Sequence, residues 1–495
     1  MSGEFYLHFE DVLPKTGWGL YYKFMIGMAC ASCFANASAF LCIPIAIPLS
    51  SCETEITPNI LYAVFISFTI GRSFGGIVDC FCDIFGRKRL LTQSLVVNFV
   101  TTFMAAFAYN SYMIIFAVFF LGSSLEHQRT VVKIHLAEIL PTKKRGRYLA
   151  LCDLFWMLGF LQASIVAYYF ASPSYVEHRV IDMRVTTWRM LFAISGGINL
   201  ILACATALLE ESPRFFLHAK KDYLAVLTLK QFYAINKSSY GNSFDIKEDD
   251  IMNTVLDYGL FYQSDNTGCL RITFDIMSMV GKGMKLLFSR PFLTVTLPLI
   301  ALQTSLSILN IVSMNILMAK LVTSENLSSG LDVVYLHPYE NNTMCPRIGE
   351  NKLFYNFLMI STNVIIGEIS AIWILDRVGR KIPLYIGMFL VGISFIILHF
   401  VEDGMTRMII CSLLMFLFSI ATTALSVINI ESYPTAIRGT SHCVIAFVGI
   451  LLSLLIITFF HLYANWFLIL MGILFIITTN INYFVKDLKQ KPMVE

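Results

Sequence analysis

The sequence predicts an all-α membrane protein whose twelve transmembrane helices form two six-helix bundles related by a pseudo-two-fold axis. Composition is the first observation: 57% of the 495 residues are hydrophobic and 14% are charged, whereas soluble globular proteins average about 25% charged residues. The second is a series of about twelve apolar runs, each long enough to cross ~30 Å of hydrocarbon with ~20 helical residues. The third is an internal repeat that divides the chain into halves.

Two motifs recur at one fixed offset. Residues 83–88 read DIFGRK and residues 376–381 read DRVGRK, 293 positions later. The pattern Glu-x-x-Pro-Thr-x-x-Arg-Gly spans 138–146 and 431–439, again 293 apart. The two motifs of each half are separated by 55 residues, which is enough for two spanning helices and their turns. This parallel repeat is typical of a secondary transporter.

The apolar runs predict the domain organisation. Their approximate spans are 22–48, 60–82, 90–110, 112–136, 148–171, 188–209, 291–318, 354–375, 382–400, 406–430, 440–461 and 464–485. Basic residues concentrate in the turns after runs two, four, eight and ten, which the positive-inside rule assigns to the cytoplasm. We therefore expect bundles at 1–209 and 291–495, with both termini and a loop at 210–290 in the cytoplasm.

The central loop at 210–290 repeats apolar residues at roughly helical spacing, which predicts short amphipathic helices beneath the bundles. These residues are Leu224, Leu227, Leu229 and Phe232. The outward loop at 319–353 contains glycosylation sequons at Asn326 and Asn341. It also contains Cys345, and Cys52 lies in the first outward loop, so a disulfide and free thiols are both open.

Several classes of function find no support in the motifs. No nucleotide-binding, nucleophile or metalloprotease signature is present, so we expect no enzymatic activity. The net charge is +3 and its basic residues form short clusters, which gives no sign of nucleic-acid binding. The twelve cysteines lack the Cys/His spacing of a metal site, and we expect no metal or other cofactor.

Each copy of the first motif predicts a short turn whose glycine, Gly86 or Gly379, permits a left-handed bend. The acid three residues earlier can offer its carboxylate to a neighbouring helix N-terminus. Such contacts hold helix ends in one conformation and release them in another, which predicts a cytoplasmic gate. Charges that merely set topology are the alternative. The charged residues concerned are Asp83, Arg87, Glu138, Arg145, Asp376, Arg380, Glu431 and Arg438.

Run four carries a polar stripe. Glu126, Arg129, Thr130 and Lys133 lie on one helical face. Because Arg or Lys near the centre of a membrane helix costs ~2.5–3.5 kcal/mol, this face should meet protein or water rather than lipid. Glu126 compensates only one of the two cations, so the stripe predicts a net positive wall that favours an anionic solute.

A structural interpretation of the stripe is equally open: an ion-pair network with Asp153 on run five and with Arg72 and Asp79 on run two. Run one carries no carboxylate in its apolar part. Proton coupling would therefore depend on Asp79, Glu126 or Glu368, the last an acid inside run eight.

Neutral polar residues complete the predicted solute site. Asn36 on run one and Gln303 and Asn310 on run seven can orient a solute by hydrogen bonds. Hydrogen bonding between helices is the alternative.

These motifs resemble the major facilitator superfamily, and within it the synaptic vesicle glycoprotein 2 and organic-ion transporter-like branch. The resemblance covers nearly the whole chain and also rests on ESPRF at 211–215, FWM at 155–157 and FED at 9–11. It implies the major facilitator fold, in which the first and fourth helices of each half line a central cavity and the paired turns act as a gate. The loop at 319–353 is too short for the large luminal domain of synaptic vesicle glycoprotein 2.

We therefore predict a secondary transporter of a small organic solute, anionic or zwitterionic, that works by alternating access. One alternative is a carrier of sugars or organic cations, and another is a non-transporting glycoprotein acting as a receptor or trafficking regulator. The expected partners are a small-molecule solute and the lipid bilayer. We expect a multi-pass monomer in the plasma membrane or an intracellular vesicle.

Overall fold

The computed structural model describes residues 9–54, 57–170, 178–180, 183–237, 244, 246, 269–290, 292–323, 352–461 and 466–485. Helices dominate these residues, which confirms the predicted all-α class. The exception is a short antiparallel hairpin of β1 (His178–Val180) and β2 (Met183–Val185).

The helices of the first half follow the predicted runs closely. They are α1 (Phe9–Val12), α2 (Leu20–Thr54), α3 (Pro58–Asp79), α4 (Cys82–Phe85), α5 (Arg87–Ala106), α6 (Ser111–Ile139), α7 (Thr142–Phe170) and α8 (Thr187–Ala205). Helix α7 begins six residues before the predicted start at 148, so Arg145 and Gly146 belong to a helix rather than to a turn.

The central stretch and the second half are also helical where they are described. Their helices are α9 (Pro213–His218), α10 (Asp222–Lys237), α11 (Cys269–Leu287), α12 (Leu293–Thr323), α13 (Lys352–Arg377), α14 (Lys381–Phe400), α15 (Gly404–Glu431), α16 (Arg438–His461) and α17 (Phe467–Ile481). Helix α10 buries Leu229 and Phe232 against the first half, but Leu227 is exposed, so its apolar face is rotated from the predicted one.

Nine helices in the described part of the chain are long and apolar enough to cross a membrane. Helices α5 and α6 are not among these nine, although they have 20 and 29 residues. Charged residues on α6 explain its absence, because they lower its hydropathy. The membrane class is therefore confirmed, and twelve crossings stay a prediction.

Packing within the two halves follows one scheme. In the first half α2 packs on α7, α3 and α5 both pack on α6, and α5 packs on α8. Shifted by one repeat, the same pairs are α12 with α16, α13 and α14 with α15, and α14 with α17, all of which are present. The sequence repeat is therefore a structural repeat.

The halves meet along two interfaces that the repeat interchanges, α3 with α16 and α7 with α13.

Close approach of helices within a half depends on small residues. A Cβ at Gly71 would overlap the Phe119 carbonyl oxygen of α6, and one at Gly159 would overlap the Phe34 carbonyl oxygen of α2. The interfaces between the halves position a central cavity and, at one end of it, a cluster of buried charges.

Candidate functional site

A cavity lies between the halves, with walls from α3, α6 and α7 on one side and α12, α15 and α16 on the other. The space open to the centre of a water-sized sphere is about 80 Å³. One water needs roughly 10–15 Å³ on this measure, so the cavity admits several waters or a small solute. Six of the seven residues predicted to bind solute line it: Glu126, Arg129, Thr130, Lys133, Gln303 and Asn310.

Two ion-pair groups form the charged wall. Arg72 donates from Nη2 and Nε to Glu126 Oε2, at 2.8 and 3.0 Å. Asp153 Oδ1 accepts from Arg129 Nη2 at 3.0 Å and from Lys133 Nζ at 2.6 Å. Glu126 therefore does not pair with a cation of its own stripe, because Asp153 on α7 takes both. The pairs with Arg72 and Asp153 are those of the ion-pair network that the sequence left open. Three cations face two carboxylates, which leaves one positive charge.

Arg129 is the cation of this wall that reaches furthest into the open space. Its side chain is 29% exposed, against 3% for Lys133. Its guanidinium carbon lies 4.8 Å from the centroid of the Trp156 ring, which also lines the cavity. A flat cation held over an aromatic face keeps its free N–H groups in a fixed direction.

Asn36 lies behind this wall and does not line the cavity. Its Oδ1 accepts from Trp156 Nε1 at 3.0 Å, and its Nδ2 donates to the Leu125 carbonyl at 2.7 Å. Asn36 therefore fixes the tryptophan against which Arg129 packs. Its hydrogen bonds join helices, as in the alternative given for the neutral polar residues, and it does not face a solute in the cavity.

The opposite wall is neutral. Gln303 and Asn310 of α12 each form a long hydrogen bond within their own helix, both at 3.4 Å. Ser426 and Asn429 of α15 also face the cavity, and Ser426 accepts from Lys133 at 2.8 Å. The position of Ser426 could not be predicted, because a lone serine in an apolar run carries no signal.

Glu368 lies beside the charged wall, at the interface of α13 with α7. Its side chain is buried, and Thr423 donates to its Oε2 at 2.7 Å. It interacts electrostatically with Asp153, Lys133 and Arg129. The protonation state of Glu368 therefore changes the net charge of the cavity wall.

A cluster of buried charges closes one end of the cavity, and we call it the candidate gate. Asp83 accepts from the backbone N–H groups of Gly439 and Thr440, at 3.1 and 2.9 Å. Both residues lie in the first turn of α16. A carboxylate of one half therefore contacts a helix N-terminus of the other half, where the helix dipole favours negative charge. Gly86, before α5, has φ +94° and ψ 161°.

The Gly86 conformation corrects the expected left-handed bend: it lies in an extended positive-φ region that glycine occupies almost alone. Gly379, the equivalent residue, also has a positive φ of +105°.

Glu138 joins the two halves within the candidate gate. Its Oε1 accepts from Arg87 at 3.1 Å and from Arg438 of the second half at 2.7 Å. Arg87 also donates to the Thr435 carbonyl across the interface, at 3.0 Å. The side chains of Arg87, Glu138 and Arg438 are at most 1% exposed. Paired charges out of water are sensitive to the loss of either partner.

The second copy of the motifs repeats two of these contacts. Arg380 donates to Glu431 at 3.2 Å inside the second half. Asp376 faces the start of α7, since a Cβ at Gly146 would lie 3.1 Å from its Oδ1.

Arg145 bonds within its own half, to Glu10 at 2.7 Å, and Arg214 contacts the same oxygen at 2.7 Å. Burial alone would raise the pKa of Glu10, but the Arg214 and Arg145 guanidiniums hold this pKa well below its ordinary range.

Some predicted residues fall outside the part of the chain that is described. Asn326, Asn341 and Cys345 are among them, and the Cys52 side chain is not described either. Glycosylation and a disulfide between Cys52 and Cys345 stay predictions.

Comparison with known proteins gives consistent relatives. The family model of the Major Facilitator Superfamily matches residues 28–449. Synaptic vesicle glycoprotein 2A of Rattus norvegicus is 24% identical over 281 residues, which cover 52% of this chain and 36% of that protein. Synaptic vesicle glycoprotein 2B of Homo sapiens is 25% identical over 247 residues, covering 47% and 34%. The match thus spans about a third of the length of these relatives.

Solved structures share the fold over nearly the whole chain. The proton:xylose symporter XylE bound to 6-bromo-6-deoxy-D-glucose superposes with a TM-score of 0.67 at 16% identity, covering 96% of this chain and 98% of that one. The human organic anion transporter MFSD10 (TETRAN) gives 0.61 at 10% identity, covering 93% and 99%. With a family model that spans most of the sequence and helix packing that repeats between its halves, this chain belongs to the Major Facilitator Superfamily.

Proposed function

We propose that this protein is a secondary transporter that carries a small organic anion or zwitterion by alternating access. Its family and fold are those of secondary transporters, and the charged wall of the cavity supports the finer assignment. Arg72, Arg129 and Lys133 face Glu126 and Asp153. The unmatched positive charge, with Arg129 partly exposed to the cavity, favours a carboxylate or a similar anion, which a guanidinium binds in a bidentate manner.

Glu368 supplies a route to proton coupling. When Glu368 is ionised, it cancels the positive charge of the wall, and when it is protonated, the wall keeps its charge. An anion in the cavity and a proton on Glu368 therefore favour each other, and such reciprocal linkage is what symport requires. Glu126 is paired with Arg72 and Asp79 with histidines, which leaves Glu368 as our proposed coupling acid.

The candidate gate supports the conformational half of the proposal. Asp83, Arg87 and Glu138 hold the second half closed at the end of the cavity that we expect to be cytoplasmic. All three contacts cross the interface between halves, so a rocking motion breaks them together. We propose the membrane of an intracellular vesicle or the cell surface as the location, with both termini in the cytoplasm.

A carrier of neutral sugars is the second candidate. The amide-bearing wall of Gln303 and Asn310 favours it, because amides both donate to and accept from hydroxyl groups. The likeness to XylE adds support through the fold. In this case the charged wall is a structural network.

Ligand-dependent unfolding of the purified protein tests the proposal. Organic anions, zwitterions, cations and sugars are screened against wild type, Arg129→Gln and the exposed control Arg147→Gln. A ligand at a hundredfold excess over its dissociation constant stabilises the native state by about 2.7 kcal/mol. We expect an anion or zwitterion to stabilise wild type and Arg147→Gln but not Arg129→Gln.

Other outcomes separate the alternatives. A sugar that stabilises all three proteins equally supports the second candidate. Failure of every ligand to bind, with no uptake of any in proteoliposomes, contradicts both and favours a non-transporting glycoprotein.

A further inference from the structure

Three buried side chains with metal-binding atoms converge beside the candidate gate. Asp79 ends α3, Cys82 begins α4 and His127 lies on α6. Their donor atoms all lie within 4.8 Å of one another. None of the three residues is more than 3% exposed. The site of solute binding and the gate contacts described above do not use this group.

A fourth donor comes from the other half of the protein. His442 of α16 places its Nδ1 3.1 Å from Asp79 Oδ2, while His127 Nδ1 lies 2.6 Å from Asp79 Oδ1. His442 also lines the cavity, so the group is connected to the space between the halves. The Asp79 carboxylate is therefore held between two imidazoles, one from each half.

The charge balance of the group favours a divalent cation. A carboxylate removed from water is costly without an opposite charge. Arg87, the nearby cation of the candidate gate, already pairs with Asp83 and Glu138 rather than with Asp79. A dication with the carboxylate of Asp79, the thiolate of Cys82 and two neutral imidazoles would form a neutral site.

We propose that Asp79, Cys82, His127 and His442 bind a divalent transition metal, with Zn²⁺ as the best match. Zinc takes four ligands from thiolate, imidazole and carboxylate in tetrahedral geometry, with bonds of ~2.0–2.3 Å. Donors in such a shell are separated by roughly 3.3–3.7 Å. Binding needs the His127–Asp79 contact to open by about 1 Å and any donor pair near the 4.8 Å limit to close by a similar amount, and it releases the thiol proton of Cys82 to solvent. Mg²⁺ and Ca²⁺, which prefer oxygen donors, do not fit this donor set.

The placement of the ligands has a conformational consequence. Three belong to the first half and His442 belongs to the second, so separation of α16 from α3 removes one ligand. The metal therefore stabilises the conformation in which the candidate gate is closed. His442, on the cavity wall, gives the ion a route from the space between the halves.

The first experiment uses the purified full-length protein after treatment with a chelator. Addition of Zn²⁺ should raise the melting temperature and saturate at one equivalent, whereas Mg²⁺ should not. Addition of Co²⁺ should give a thiolate-to-cobalt charge-transfer band and the visible bands of tetrahedral cobalt. Absence of both effects in folded protein overturns the proposal.

Variants identify the ligands. Cys82→Ser and His442→Gln should weaken Zn²⁺ binding by more than the ~10–100-fold that loss of an outer-shell partner costs. The matched control is Cys80→Ser, which removes another buried thiol close by and should bind as wild type does. Wild-type affinity in Cys82→Ser contradicts the assignment, and if that variant does not fold, the cobalt spectrum of the native protein decides. These measurements need no solute, so they stand apart from the transport proposal.

Discussion

At the scale of single residues, Gly86 shows how a turn in one half is fixed by a distant side chain. The first two N–H groups of α5, at Arg87 and Lys88, donate to Glu211 Oε1 at 3.0 and 3.2 Å. The same carboxylate occupies the space where a Cβ of residue 86 would lie. Conformation and packing both require glycine there.

We expect Gly86→Ala to destabilise the protein by about 1–3 kcal/mol, because alanine adopts the observed φ and ψ only with strain. Thermal unfolding in detergent measures this change. The control is Gly27→Ala, at a helical glycine with no heavy atom within 4 Å of an added Cβ, which should be neutral or slightly stabilising. Equal melting temperatures for the two variants would contradict the argument.

Residue-level partners were predicted only as one of two open interpretations. The spacing along α6 allowed Glu126 to pair within its own stripe, whereas the network interpretation named Arg72 and Asp153, and the structure has Glu126 bound to Arg72, 54 residues away. Helical neighbours at this spacing gain only about 0.2–0.5 kcal/mol. Burial of a cation costs more than that, so the rotation of neighbouring helices decides which acid it meets. His442 was missed for the same reason, since it lies 363 residues from Asp79.

At the scale of elements, α16 carries the contacts by which the candidate gate joins the two halves. Its N-terminus receives Asp83, its first residue contacts Glu138, and its body packs along α3. The contacts of Asp83 and Glu138 act on the start of one helix, so they release together when that helix moves.

We expect Glu138→Gln to open the candidate gate, because it removes the negative charge shared by Arg87 and Arg438. Opening is measured by introducing Thr422→Cys, at a position that lines the cavity, and labelling it with a membrane-impermeant thiol reagent in inverted vesicles. Mass spectrometry of the peptide that contains residue 422 gives the rate of labelling. The rate should rise about tenfold or more, since ~1.4 kcal/mol corresponds to tenfold and loss of one buried partner costs ~3–5 kcal/mol. The exposed Glu402→Gln is the control, and equal rates in the two variants would refute the gate.

At the scale of the whole molecule, the sequence was most informative. The 293-residue repeat predicted which helix pairs recur, and long apolar runs predicted the helix bounds to within a few residues in most cases. Both succeed because burial of about twenty apolar residues outweighs any local preference. The start of α7 was missed, because Thr142 to Tyr148 is polar and becomes helical through its contacts with Glu10 rather than through hydrophobicity.

Proton coupling is a property of the whole transport cycle. We expect Glu368→Gln to keep exchange of solute across the membrane but to lose accumulation driven by a pH gradient, because glutamine carries no proton to release. Proteoliposomes loaded for counterflow and for gradient-driven uptake distinguish the two activities. Glu402→Gln should retain both. Gradient-driven accumulation by Glu368→Gln would assign coupling to another residue.

The contact of Glu10 with Arg214 also sets an order of events during synthesis. Arg214 follows Glu10 by 204 positions. At about 5–20 residues per second, the ribosome adds it roughly 10–40 s later. Throughout that interval six long helices are made, and Glu10 can meet Thr142 and Arg145 before Arg214 exists. The ion pair between Glu10 and Arg214 is therefore one of the last contacts to form when the first half folds.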